Sequence, residues 1–200
     1  MNVAIVKYNA GNVHSVMNAL HRIGVEPILT DNPDILRSAD KVIFPGVGEA
    51  RSAMTYLRER GLAELIKSLT QPVLGVCVGM QLLCEYSEEN DTECMGVFPV
   101  RVQRFVPPPN DISRRYKVPH MGWNTIDALR SPLFDGLDAE PFVYYVHSYH
   151  AVLSPYTIAT TTYIAPFSAA LHNGNFYAVQ FHPEKSGAVG EQIYRNFLAL

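Results

Sequence analysis

The chain has 200 residues, of which 48% are hydrophobic and 18% charged, and a formal net charge of −3. This composition supplies a real core and excludes a disordered chain. The near-neutral charge gives no reason to expect nucleic acid or an anionic membrane as a partner. The length suits one domain over residues 1–200. No apolar run approaches the roughly 18 residues of a membrane span, and the N-terminal apolar stretch lacks the basic flank of a secretory signal. The three cysteines, Cys77, Cys84 and Cys94, are too few and too odd in number for a disulfide framework, which points to a reducing, cytoplasmic setting. None has metal-site spacing, and no metal or cofactor is expected.

Residues 2–6 form an apolar run that predicts a buried first strand. Val13, Val16, Met17, Leu20 and Ile23 then repeat at helical spacing up to Gly24. Strands are predicted at 26–29, 41–44 and 72–76, with helices at 34–38, at 50–69 with a break near Gly61, and from Gly79 to Glu85. Strands alternating with helices mean right-handed βαβ units and a mostly parallel sheet. After about residue 90 the pattern becomes β-rich, with strands predicted at 97–106, 123–126, 142–147, 157–162, 168–171 and 176–181. Asn173-Gly174 is a hairpin signal, and a last helix is predicted over 187–200. Pro107-Pro-Pro-Asn110 reads as an exposed loop. The expected class is α/β, flavodoxin-like, with added β structure in the second half.

Cys77 lies between the strand at 72–76 and the following helix, with Gly75 and Gly79 two residues to either side. This is a cysteine version of the G-x-S-x-G elbow, whose small residues let the chain turn sharply and expose the nucleophile. A helix beginning behind the sulfur favours the thiolate, the reactive form. Cys84 has no such setting and reads as packing, and Cys94 carries no functional expectation.

A thiolate that attacks an amide needs an acid for the leaving amine, and histidine is the usual choice. Of the seven histidines, only His182 has a carboxylate at a telling spacing, in Gln180-Phe-His-Pro-Glu184. In an extended segment the side chains of His182 and Glu184 would share one face, and Glu184 would hold the imidazole in its working tautomer.

Together these motifs resemble the class I (triad) glutamine amidotransferases, and the resemblance covers the whole chain. Phe44-Pro-Gly-Val-Gly48, Pro119-His-Met-Gly-Trp-Asn124, Val146-His-Ser-Tyr149 and Gln180-Phe-His-Pro-Glu-Lys-Ser186 narrow it to the branch that supplies ammonia to a (βα)8-barrel cyclase in histidine biosynthesis. The resemblance implies that L-glutamine is the substrate, Cys77 the nucleophile, His182 the acid/base and Glu184 its orienter. It implies an oxyanion hole from Val78 and the Val47 turn, and substrate contacts from Gly46, Gly48, Gln81, Glu89, Ser148 and Tyr149, with Glu88 a competing candidate for the role of Glu89. Asn12, Pro119, Met121, Trp123 and Lys185 are implied to face the cyclase partner in a heterodimer, although Trp123 could equally be a core residue. Glycines on both sides of Val47 make its peptides easy to reorient, so the resting turn is expected to withhold its N–H until the partner docks. Lys7 and Asn9 depart from the family's usual Asp and Gly. The competing reading is a glutaminase of anthranilate, aminodeoxychorismate or guanylate synthesis.

Overall fold

The structure is a computed structural model that describes residues 1–9, 13–109 and 116–200. Asn12, and the end of the proline-rich loop at Asn110, lie outside the described residues.

The first half follows the alternation written in its hydrophobic pattern. Strand β1 (Val3–Val6) is buried throughout. Helix α1 (Val13–Arg22) buries Val13, Val16, Ala19 and Leu20 on one face, and the chain leaves it through Gly24 at φ 84°. Strand β2 (Ile28–Thr30) leads to α2 (Pro33–Ser38), whose first N–H groups are capped by the Asn32 side chain. Strand β3 (Lys41–Gly46) is followed by α3 (Ala50–Glu59) and α4 (Leu62–Lys67), which break at Gly61, φ 66°. Strand β4 (Val73–Cys77) runs directly into the short helix α5 (Val78–Leu83).

The second half is strand-rich: β5 (Cys84–Ser87), β6 (Thr92–Glu93), β7 (Phe98–Arg104), β8 (His120–Thr125), β9 (Phe142–His147), β10 (Tyr149–Ala151), β11 (Thr157–Thr162), β12 (Pro166–Asn173) and β13 (Phe176–Val179), closed by α6 (Gly187–Ala199). The central sheet has the order β11-β12-β13-β4-β3-β1-β2. Its pairings from β13 through β4, β3 and β1 to β2 are parallel, and β11 and β12 add antiparallel strands at one edge. β1, β3 and β4 are buried along their whole length, as strands of a parallel sheet covered on both faces must be. The observed class is the α/β, mostly parallel arrangement expected, with a four-stranded sheet β10-β7-β5-β6 and a two-stranded ribbon β8-β9 added.

Several local expectations are corrected. The helix after Cys77 ends at Leu83, not Glu85, and Cys84–Ser87 is a strand because it pairs with β7 and β6. Its apolar spacing continues that of α5, and only distant partners reveal the strand. β8 begins at His120, three residues earlier than its pattern suggested, because it is paired residue by residue with β9. The hairpin between β12 and β13 closes Asn173 on Phe176, so the loop residues are Gly174 and Asn175, one position later than read. β13 stops at Val179.

Candidate active site

Three adjacent parallel strands end at one place. Gly46 of β3 is the register partner of Cys77 of β4, and Val179 of β13 pairs with Val76. Open α/β sheets bind ligands beyond the carboxyl ends of their strands. Here a cleft of about 320 Å³ opens at that edge, near the lower end of small-molecule sites (roughly 300–1,000 Å³).

The turn at Cys77 is built by the glycines around it. Cys77 takes φ 54° and ψ −112°, a conformation that costs an L-residue strain. A Cβ on Gly79 would strike the Phe44 carbonyl oxygen, and one on Gly75 would lie 2.7 Å from Leu83 Cδ1. A Cβ on Gly46 would lie 2.8 Å from the Val78 carbonyl carbon and 2.9 Å from the Tyr8 hydroxyl. α5 can therefore start directly against β3 only because these positions lack side chains. The Tyr8 hydroxyl donates to the Pro45 carbonyl at 2.7 Å and ties the segment after β1 to the end of β3.

His182 and Glu184 meet differently from the extended geometry expected. His182 precedes a 3₁₀ turn (Pro183–Lys185), and its Nδ1 lies 2.7 Å from Glu184 Oε1, with both side chains 1% exposed. Ser186 braces the turn: its hydroxyl donates to the His182 carbonyl at 2.7 Å and accepts the Tyr144 N–H at 3.0 Å. The His182 N–H donates to the Tyr144 carbonyl at 2.9 Å, so β9 and this turn are locked together. Burial, the largest influence on His182, works against its charge. The Cys77 sulfur and the Glu184 carboxylate outweigh burial and push its pKa up to about 10. Behind Glu184 the buried Tyr194 hydroxyl is held protonated by burial and by that carboxylate.

The cleft is lined by Val47, Gly48, Cys77, Val78, Gln81, Glu89, Pro119, Val146, His147, Ser148, Tyr149 and His182. It thus brings together most of the residues singled out in the sequence. Gly46 is beneath its floor, packed on Gly79. Glu184 is behind His182. Of the two neighbouring carboxylates, Glu89 lines the cleft and accepts the Ala50 N–H at 2.8 Å, whereas Glu88 accepts the Arg104 N–H. Burial raises the pKa of Glu89. Gln81 is 2% exposed, and its amide nitrogen donates to both the Tyr149 carbonyl and Gln180 Oε1, each at 2.9 Å. Its carbonyl oxygen is the end left for a ligand.

Beside the cleft lies a buried aromatic cluster. A backbone carbonyl only accepts, so the 2.7 Å contact of His147 Nδ1 with the Tyr149 carbonyl puts the proton on that nitrogen. His147 Nε2 then accepts from His120 Nδ1 at 3.0 Å, and Asn124 Nδ2 lies 3.4 Å from His120 Nε2. Burial keeps this pair neutral, lowering His120 to about 4 and His147 to about 3. His150, stacked on Phe105 at 4.2 Å, is lowered to about 4 by the same cause.

Of the residues expected to face a partner, Met121 and Trp123 are 63% and 55% exposed, which removes Trp123 from the core. They share the outer face of the β8-β9 ribbon with Phe142, 59% exposed and missed in the sequence, where nothing in its alternation says which face is covered. Trp123 packs edge-on against Tyr144 at 5.9 Å, and Lys185 Nζ lies 5.7 Å from the same ring. Pro119 lines the cleft itself. Lys7 and Asn9 are exposed. Cys84 is fully buried, as read, and Cys94 is half-buried with its thiol pushed up to about 12, chiefly by burial.

The family described as Glutamine amidotransferase class-I matches residues 4–200. Among curated proteins, the chain is 58% identical to "Imidazole glycerol phosphate synthase subunit HisH" of Bacteroides thetaiotaomicron and 45% identical to the protein of that name in Escherichia coli strain K12. Both alignments cover all of each chain. A solved glutamine amidotransferase superposes with TM-score 0.73 at 19% identity, covering 99% of this chain and 98% of the other. PurLQS from Thermotoga maritima superposes with TM-score 0.71 at 16% identity over 99% and 97%. These two likenesses concern the fold. The full-length relatives and the match over nearly every residue go further: the chain belongs to the class-I glutamine amidotransferase family.

Proposed function

We propose that this chain is the glutaminase subunit of an imidazole glycerol phosphate synthase, hydrolysing L-glutamine and passing ammonia to a (βα)8-barrel cyclase subunit in a cytoplasmic heterodimer. The observation that carries the chemistry is a strained Cys77 lining the same cleft as His182, which is paired with Glu184. The relatives named above supply the pathway.

In this reading Glu184 accepts from His182 Nδ1–H and leaves Nε2 for the Cys77 proton, giving a thiolate beside an imidazolium. The thiolate adds to the side-chain carbonyl of glutamine. Negative charge develops on that oxygen, and two N–H groups receive it: that of Val78 at the start of α5 and one from the Val47 turn. His182 returns its proton to the nitrogen as the carbon–nitrogen bond breaks, releasing ammonia and leaving a thioester on Cys77. Water, deprotonated by His182, then adds to the thioester and releases glutamate and the thiolate.

The remaining lining groups orient the substrate's amino-acid end. Glu89 suits the ammonium, while Ser148 and Tyr149 suit the carboxylate. Gln81, with both N–H groups committed, offers a carbonyl oxygen. The exposed Met121, Trp123 and Phe142 are the surface for the cyclase, which consumes the ammonia. The test is co-expression with a barrel cyclase, followed by glutamine- and ammonia-dependent assays of the purified complex. A complex active with ammonia but not with glutamine would overturn the proposal.

A further inference from the structure

Gln180 lies within the His182 motif, yet nothing in the reaction described above uses it. It is completely buried. Its amide nitrogen lies 3.7 Å from Cys77 Sγ, and it is absent from the lining of the cleft, so it meets the sulfur from the protein side rather than the substrate side.

The orientation of this amide follows from its neighbours. The Tyr149 carbonyl is an obligate acceptor, so the Gln81 group 2.9 Å from it is the NH₂. The same NH₂ lies 2.9 Å from one end of the Gln180 amide, which must therefore be the carbonyl oxygen. The other end of Gln180, facing the sulfur, is then its NH₂. The neutral histidine pair donates to the same Tyr149 carbonyl through His147 Nδ1–H. One backbone carbonyl thus sets the direction of the whole chain from His120 to Cys77. Reversing Gln180 would set its NH₂ against the Gln81 NH₂ and its oxygen against the sulfur, leaving buried donors unpaired, which is costly.

We propose that Gln180 is a further catalytic residue of the glutamine hydrolysis, donating a hydrogen bond from Nε2 to the Cys77 thiolate from the side opposite the substrate, with Gln81 holding the donor in place. This rests on Cys77 being the nucleophile. The donor acts on the charged form of the sulfur, and bonds to charged acceptors are the stronger class. It also fixes the direction of the sulfur in a turn where the backbone alone is strained.

The test is the pH dependence of iodoacetamide alkylation at Cys77. Peptide-resolved mass spectrometry separates it from Cys84 and Cys94, and the wild-type chain, Gln180→Met and Gln180→Glu are compared. Methionine keeps the bulk of the side chain and removes the donor, so its alkylation midpoint should rise by about one pH unit, the worth of a charge-assisted hydrogen bond. Glutamate places an anion against the thiolate and should raise the midpoint further, and it provides the measurement if Gln180→Met does not fold. In the cyclase complex, kcat for glutamine should fall about tenfold in Gln180→Met with little change in KM. A midpoint unmoved in the folded variants, whatever their thermal stability, overturns the donor role. Failure of the glutaminase reading itself would show separately, as absence of glutamine turnover by the wild-type complex.

Discussion

Gly46 sits directly opposite Cys77 in the parallel pairing of β3 with β4. This register places the start of the Gly46-Val-Gly48 turn beside the sulfur. The absence of a side chain at Gly46 lets the first peptide of α5 lie against β3. The start of the turn, the thiol and the first peptide of α5 are consequently packed together at one junction.

That junction makes Gly79→Ala severe. The added Cβ would fall on the Phe44 carbonyl oxygen, which belongs to a buried strand that does not yield. Overpacking of this kind costs about 1–3 kcal/mol. Thermal unfolding should show the loss of stability. Because the displaced element is α5, glutamine hydrolysis should fall by more than ammonia-dependent synthesis in the cyclase complex.

Cys77→Ala separates the two half-reactions. Cys77 is 3% exposed and its sulfur contributes little packing volume, so the variant should fold. Glutamine-dependent activity of the complex should vanish while ammonia-dependent activity stays at the wild-type level. Retention of glutamine-dependent activity would exclude Cys77 as nucleophile.

His182 gives a signature at alkaline pH. Its folded pKa, about 10, is above its ordinary value of 6.5. Its contribution to stability is therefore fully present below about pH 6.5 and is lost as pH rises through about 10. In Cys77→Ala and Glu184→Gln one opposing influence is removed and burial counts for more, so the NMR titration midpoint of His182 should move down in both. An unchanged midpoint in Cys77→Ala would show that sulfur and imidazole do not interact.

The other buried histidines act in the opposite direction. His120, His147 and His150 have folded values of about 4, 3 and 4, below 6.5, because burial disfavours their charge. The stability they lend is present above about pH 6.5 and is lost as pH falls toward 3. Chemical denaturation between pH 7 and 4 should show falling stability. The fall should be shallower in His150→Phe, which keeps the stack on Phe105 and removes one titrating group.

Trp123→Ala should leave the isolated chain nearly as stable as wild type, within about 0.5 kcal/mol, because the ring is more than half exposed. If the β8-β9 ribbon is the docking surface, the same change should weaken binding to the cyclase by about 2 kcal/mol or more, as removal of a buried aromatic anchor does. Calorimetric titration of the two subunits measures it, and unchanged affinity would move the interface elsewhere.

The cysteine elbow, the His182–Glu184 pair and the alternating first half were all legible in the sequence, because each depends on neighbours close along the chain. Glycine spacing announces a sharp turn, and helical or strand periodicity announces the local element. The strand at Cys84–Ser87 was not legible, since its apolar spacing continues that of α5 and only pairing with β7 and β6 makes it extended. Nor could sequence place Glu89 rather than Glu88 on the cleft wall with certainty, expose Trp123, or replace an extended His-Pro-Glu segment with a 3₁₀ turn braced by Ser186. The orientation of Gln180 was not legible either, because it depends on Gln81, 99 positions away, and on the carbonyl of Tyr149. The sequence by itself determined which reactive groups the chain carries and the turns that present them. The tertiary structure decided which way each polar group points, because burial forces every donor to find an acceptor and the acceptors come from distant segments.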